Sequence, residues 1–516
     1  MAQRATIHLY DQQPDRIAQD AAQEVWNDVN NIGFKNGETI RVSPDVPTLP
    51  NAQVIPRTCV YVRFGATDYW VYANETGIWA HDGTTEFDIT PAADWTAVYD
   101  PEAFYTSCVL GGIVYFNASD RAPVYWAGDT LDPAVQLPDW PAGETCYALR
   151  SHKNFLFAIG IVQQNGQRVR WSDAAEPGAV PQFWDPAASN LAGFVDLAPL
   201  SARAYDGATL RDSFLVYKTE GIFAFDFIGG NDVFANRKLF SEHGIRVPNA
   251  VTPGIDDVHL FLADDGDVYL TDGVQVRSVL DGKAQRTLYR DLSADGSSTV
   301  TAVTLSREKT AAIYYPSNIQ ADVDYATRAL LYNFVDGSIG FRDADQITCG
   351  AQGKILTDNS ALGLTWDSDP DPWDDDQTRW NEVPVSATID DVLIGRVDGF
   401  RALGTGASDA AGEEIFAFAS KSGLSFGNAQ VRKMVSRIWP KIEGRDGDVV
   451  NIRMGGQEIT GGGITLGPSV EFTIGQDRHI DTFTTGRFLY FEVSSHGGAV
   501  WRLGSFDLEF SEQGLF

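Results

Sequence analysis

The run DSFLVYKTEGIFAFDFIGG, residues 212–230, decides the fold. Two apolar-aromatic segments, FLVY (214–217) and IFAF (222–225), flank the polar turn Lys218-Thr219-Glu220-Gly221. Each is an apolar-aromatic run rich in residues that suit a pleated surface, so together they predict a β-hairpin.

The same figure recurs in both directions. DYWVY (68–72) turns at NETG (74–77) into IWA (78–80), and IVYF (113–116) turns at NASD (117–120) toward VYW (124–126). FLFAI (155–159) turns at QNG (164–166) into VRW (169–171), and LFL (260–262) turns at DDGD (264–267) into VYL (268–270). AIYY (312–315) has a more distant partner, ALLYNF (329–334). Successive units start roughly 40 to 60 residues apart, the period of propeller blades. Each hairpin would be the central pair of a four-stranded sheet, with outer strands such as 86–89 or 274–276.

The expected fold is therefore all-β: an irregular β-propeller of about six to seven blades over residues 57–384. GKIL (353–356) and LGLTW (362–366) would belong to a seventh blade, and no helix is expected between 57 and 366. Residues 1–56 read as an N-terminal arm. It holds a helical turn or two near 18–29, a hairpin over 32–42 turning at Asn36-Gly37, and a Pro-rich extended connector. From 385 to 516 the strands alternate more cleanly and their turns are Gly-rich, which predicts a C-terminal β-sandwich.

Composition narrows the function classes. The chain has 516 residues and a formal net charge of −31, from 39 basic and 70 acidic residues. A protein that grips nucleic acid by its phosphates needs a basic face, so tight DNA binding is disfavoured. An acidic wall along which DNA slides remains compatible with this balance. No run approaches the roughly 18 apolar residues of a membrane span, and the N-terminal residues carry no secretory pattern, so synthesis in a cytoplasm is expected. The four cysteines (Cys59, Cys108, Cys146 and Cys349) form no CxxC pair and read as buried reduced thiols.

Chemistry-bearing motifs are sparse. None of the seven His falls in a zinc-ligand spacing, and there is no nucleophile elbow or phosphate loop. Asp264, Asp265 and Asp267 crowd together, but Gly266 marks an ordinary turn. Asp367, Asp369 and Asp371 alternate within an Asp-rich breaker and are the candidate Ca²⁺ ligands, without the Gly and Glu of an EF-hand loop. No cofactor and no enzymatic activity are expected.

One further stretch stands out. RVRWSDAAEPGAVPQFWDPAASNLAGFVDL (168–197) leaves a strand at Trp171 and passes through a Pro-rich loop carrying Phe183, Trp184 and Phe194. It predicts a rigid projection anchored by Trp171, Phe183, Trp184 and Phe194, rejoining the sheets near the fourth blade. This stretch resembles one in the tail tube or nozzle proteins of short-tailed bacteriophages, which stabilise packaged DNA. WNDVNNIGFKNG (26–37), the opening hairpin run 212–230, and GRFLYF (486–491) with WRL (501–503) are similar to parts of the same family. The chain departs from it at EQGLF (512–516), where a basic ending is expected.

The resemblance implies a virion structural subunit that forms a homo-oligomeric ring, a hexamer, below the portal and adaptor (head–tail connector) proteins. Its partners would be that adaptor, tail fibres or spikes, and double-stranded DNA passing through the lumen without tight binding. The protein would lie in the host cytoplasm before assembly and in the phage tail afterwards. The residues leave two other readings open: a propeller-fold carbohydrate-active enzyme, and a lectin-like receptor-binding tail protein.

Overall fold

A computed structural model describes residues 3–514, except 92–94, 96–99, 101, 198–201, 231, 294–298, 320–323, 357–387, 405–414 and 498. The segments LGLTW (362–366) and the candidate Ca²⁺ ligands Asp367, Asp369 and Asp371 lie outside the described residues.

Five consecutive four-stranded antiparallel sheets run from Thr58 to Phe240 and on to Ser278, each built from strands in sequence order. In all five the predicted hairpin is the central pair. In the fourth, Ser213–Lys218 and Gly221–Phe227 lie between Ala204–Leu210 and Phe234–Phe240. Central strands such as Phe155–Ile161 are buried along their whole length, because both faces of a blade pack on neighbouring blades. That is why they read as continuous apolar runs and not as alternating ones.

The circle is completed by a seven-stranded sheet. Thr301–Leu305, Thr310–Tyr315 and Ala326–Asn333 form the sixth blade together with the first half of a long strand, Ile339–Leu356. That strand bends at Gln346, whose φ is 51°, and its second half becomes the inner strand of a seventh blade. Thr388–Arg396 and Gly399–Ala402 follow, and Val46–Thr48 supplies the outermost strand. The inner strands neighbour one another in order around an axis, and the seventh meets the first. There the Trp70 indole donates to Lys354 O at 2.8 Å. The fold is all-β, and among the described residues its propeller has seven blades.

The sequence-drawn boundaries shift accordingly. Residues 388–402, assigned to the sandwich, pair into the propeller, and the Pro-rich connector is the strand that closes it. The N-terminal arm is not separate. Gln3–Ile7, Ile32–Lys35 and Glu38–Arg41 join a sheet with Arg432–Gly444, Ile480–Gly486 and Trp501–Gly514. Asp28–Asn30 borders the facing sheet of Ala417–Leu424, Val449–Gln457, Thr465–Thr473 and Phe488–Ser495. Trp26 is fully buried between them and stacks on Phe491, which stacks on Phe506 at 3.8 Å.

The expected hairpin turns at Asn36 (φ 55°) and Gly37 (φ 77°), as a type I′ turn requires. Residues 18–29 make one turn, closed by Ala21 N to Ile17 O, and then the strands Val25–Trp26 and Asp28–Asn30.

A helix, Gln285–Asp291, does occur between 57 and 366. Its free N-terminal amides at Arg286 and Thr287 donate to the Asp15 carboxylate at 2.6 and 2.9 Å, so the cap comes from a residue 271 positions away. The same arm is pinned by the Lys283–Asp11 pair at 2.7 Å. Further along, Asn31 bonds Phe341 O through its amide and Asp343 N through its side chain, both at 2.9 Å. The arm therefore fastens sandwich to propeller.

Candidate functional site

Two groups of residues occupy positions where function can be built: the loop on the third blade and the polar cluster at the propeller axis. The loop leaves the sheet after Arg168–Trp171 but returns to the same blade, as the outer strand Gly193–Asp196 paired with Arg168–Trp171. The expected passage to the fourth blade is replaced by this return, and Phe194 lies in the returning strand and not on the loop.

Trp184 is fully buried and meets Trp140 edge-on at 4.8 Å, in a cluster that includes Leu110, Tyr115 and Leu149. It plugs the gap between the second and third blades. Trp171 is 8% exposed, and its indole donates to Leu191 O at 3.0 Å while lying over Gly193. The loop is tied down along its length. Arg170 Nη1 reaches Asp185 at 2.6 Å, Asp173 N bonds Phe183 O at 2.8 Å, and Gly178 N bonds Gly111 O of the second blade at 2.8 Å.

Phe183 and Phe194 do not pack inward as anchors. Phe183 is 47% exposed, and Phe194 is 42% exposed with the Arg168 guanidinium 4.2 Å from its ring centre. Strand alternation explains Phe194: its neighbour Gly193 points inward under Trp171. Phe183, Leu191 and Phe194 each keep apolar surface exposed on this tied-down segment.

At the axis, the inner strands contribute a chain of hydrogen bonds that crosses six blades. Thr58 and Ser107 share a hydroxyl bond at 2.8 Å, and Ser107 O accepts from Arg150 Nη1 at 3.1 Å. Arg150 makes a two-pronged pair with Asp206, 2.7 Å on each side, and also donates to Asn249. Asn249 N donates to Asp206, its side-chain amide to Tyr105 O, and its carbonyl accepts from Ala302 N.

Burial works against the charge on Arg150, but the Asp206 carboxylate outweighs it and holds the guanidinium above its ordinary value. Asp206 itself is fully buried. The cluster ties the blades together across the axis. Nothing in the sequence reading singled these residues out, though a charged residue inside an apolar strand (Leu149-Arg150, Tyr205-Asp206) is a usable signal.

Where the inner strands begin, Phe104, Tyr147 and Tyr205 form a half-buried triangle with ring centres 5.1–6.0 Å apart, beside the exposed Arg203. Of the crowded acids, Asp265 and Asp267 are spent locally. Asp265 accepts from Asp267 N and Tyr269 Oη, and Asp267 accepts from Gln285. Among the described residues no helix is long and apolar enough to cross a membrane.

No protein-family model matches the sequence, and no curated protein matches it. Several solved structures align with it at low similarity. The exo-beta-1,3-galactanase of Phanerochaete chrysosporium is 8% identical over 91% of this chain and 100% of its own, with a TM-score of 0.28. The Cps50 (Swd1) beta-propeller domain of Myceliophteria thermophila is 10% identical over 58% of this chain and 91% of its own, with a TM-score of 0.36. The extracellular domain of BT4673 from B. thetaiotaomicron is 8% identical over 90% of this chain and 58% of its own, at 0.41. No function is carried from them to this chain.

Proposed function

We propose that the chain is a virion structural protein: a tail nozzle or tube subunit that assembles into a ring below the portal–adaptor complex, retains packaged DNA and conducts it during ejection. The observation that carries this reading is the net charge of −31 on a body whose own axis is bridged by the Arg150–Asp206–Asn249 cluster. A bridged axis is no passage for a duplex, so a conduit has to be enclosed between copies. Acidic walls then repel phosphates and let DNA slide.

The stretches that resemble the nozzle family support the same reading. Residues 26–37 form the strut between propeller and sandwich, and 168–197 form the tied-down rim loop whose exposed Phe183 and Leu191 suit a subunit contact. Both make the subunit stiff, which a wall under load requires.

Negative-stain imaging of the purified protein and of virions tests the proposal. Rings in solution and the protein in tails are expected; a stable monomer absent from virions overturns it. One observation favours a second reading, a carbohydrate-binding tail protein: the Phe104–Tyr147–Tyr205 triangle beside Arg203 offers ring edges and a cation to a sugar. Glycan-array binding lost in Tyr147→Ala would support it, and absence of any glycan binding by the wild type would remove it.

A further inference from the structure

The first and last inner strands each bring one cysteine to the seam where the circle closes. Cys59 lies in Thr58–Phe64, and Cys349 lies in the second half of Ile339–Leu356. Both thiols are free and buried, 5% and 4% exposed, in one apolar cluster with Trp70, Tyr72 and Phe400. Their strands pack against each other across the seam, and the neighbouring Cys349 thiol, with burial, pushes the Cys59 thiol well up.

The surroundings hold them in place. A Cβ on Gly395 would sit 2.7 Å from Cys349 Sγ, and one on Gly353 would sit 2.3 Å from the Tyr61 side chain across the seam. Cys108 and Cys146 also share a cluster, but the Cys146 thiol is engaged by Asn117 Oδ1 at 3.1 Å.

We propose that Cys59 and Cys349 form an oxidisable clasp that converts the seam between the first and seventh blades from a noncovalent contact into a covalent one. The oxidant is hydrogen peroxide, small enough to enter where larger disulfides cannot. One thiol loses its proton and its sulfur attacks the peroxide; an S–O bond forms, the O–O bond breaks, and the departing hydroxide takes the proton as water. The second sulfur attacks the sulfenic sulfur; the S–S bond forms, the S–O bond breaks, and a second water leaves with the remaining thiol proton. Two thiols are oxidised and one peroxide is reduced to two waters. Burial keeps the reaction slow while the seam is shut, so its rate reports seam opening. The inference is independent of the tail reading, because it needs only the closed propeller.

The test treats the folded full-length protein with hydrogen peroxide, alkylates residual thiols, digests without reductant and maps peptides by mass spectrometry. The expected result is a peptide pair joined through Cys59 and Cys349, with a urea midpoint that rises on oxidation and falls back with dithiothreitol. Cys59→Ala abolishes both changes, and Cys349→Ala serves equally should the first variant fail to fold. Recovery of Cys59 and Cys349 as alkylated thiols, or as separate sulfinic acids with no joined peptide, overturns the proposal.

Discussion

Replacing Trp184 by Ala tests whether the rim loop is held by one buried ring. The side chain is fully buried against Trp140, and a Trp buries roughly 200 Å². At about 25 cal/mol per Å² that is about 5 kcal/mol of transfer free energy. One effect offsets it: the Trp184 indole N–H is buried with no hydrogen-bond partner, so deleting it relieves roughly 1–2 kcal/mol of desolvation. The expected net loss is about 3–4 kcal/mol.

Two companion variants separate the contributions. Trp184→Phe keeps most of the apolar contact and drops the unpaired N–H, so it should stay within about 1 kcal/mol of wild type. Phe183→Ala removes a half-exposed ring and should also cost under about 1 kcal/mol. Urea denaturation followed by fluorescence gives the global values. Hydrogen exchange of loop peptides should show protection falling by two to three orders of magnitude in Trp184→Ala, at about 1.4 kcal/mol per tenfold. If Phe183→Ala loosens the loop as much as Trp184→Ala, or if Trp184→Phe is as damaging as the Ala variant, the single-anchor reasoning fails.

Three further outcomes follow from the geometry. Truncating Asp206 to Ala leaves the partly buried Arg150 guanidinium without the fully buried carboxylate that pairs it, so a loss of about 3 kcal/mol is expected; a loss no larger than that of Arg168→Ala at the exposed Asp196 pair would contradict the axial role. His259 is held between Tyr217 Oη and Thr209 O, and burial pushes it down to about 4. Its unfolded value is near 6.5, so the unfolded chain binds the proton first; the stability contributed by the neutral ring is complete above about pH 6.5 and drains away toward pH 4, by up to about 3 kcal/mol. Stability measured against pH in His259→Gln should lack that share of the acid slope; an unchanged slope refutes it. Gly160 has φ +67° and a Cβ there would meet Ala204 O at 2.1 Å, whereas one at Gly33 has only Leu331 Cδ1 at 4.0 Å. Gly160→Ala should therefore lower the urea midpoint sharply, and Gly33→Ala should hold or raise it; the reverse order would show the backbone argument wrong.

The blades were legible because their central strands carry the signal twice, in apolar runs buried on both faces and in polar turns at regular spacing. FLVY and IFAF turning at Lys218–Gly221 is found as read. What escaped was pairing at a distance. Val46–Thr48 is three residues long, contains a proline and bonds to residues some 350 positions away, so no local pattern marks it. Ile339–Leu356 hides a blade boundary inside one strand, because the bend rests on a single left-handed residue, Gln346.

The short helix Gln285–Asp291 was missed for the same reason, its cap being Asp15. In the rim loop, the aromatic content was readable but its division was not: which of Phe183 and Trp184 turns inward depends on Trp140 of the neighbouring blade. Arg150, Asp206 and Asn249 come together only once the strands converge on an axis.

The strand at 46–48 also sets a timetable. It leaves the ribosome early, while its partner Gly399–Ala402 is still about 350 residues from being made. At about 5–20 residues per second that is a wait of roughly 20–70 s. Strands 3–7 and 38–41 wait longer still, for Trp501–Gly514. Each blade can form as it emerges, but the circle cannot close until Gly399–Ala402 arrives, nor the sandwich until Trp501–Gly514 does. A nascent chain interrupted before residue 399 would be left as an open arc with raw edges at both ends, a substrate for chaperones and proteases and not a smaller version of the protein.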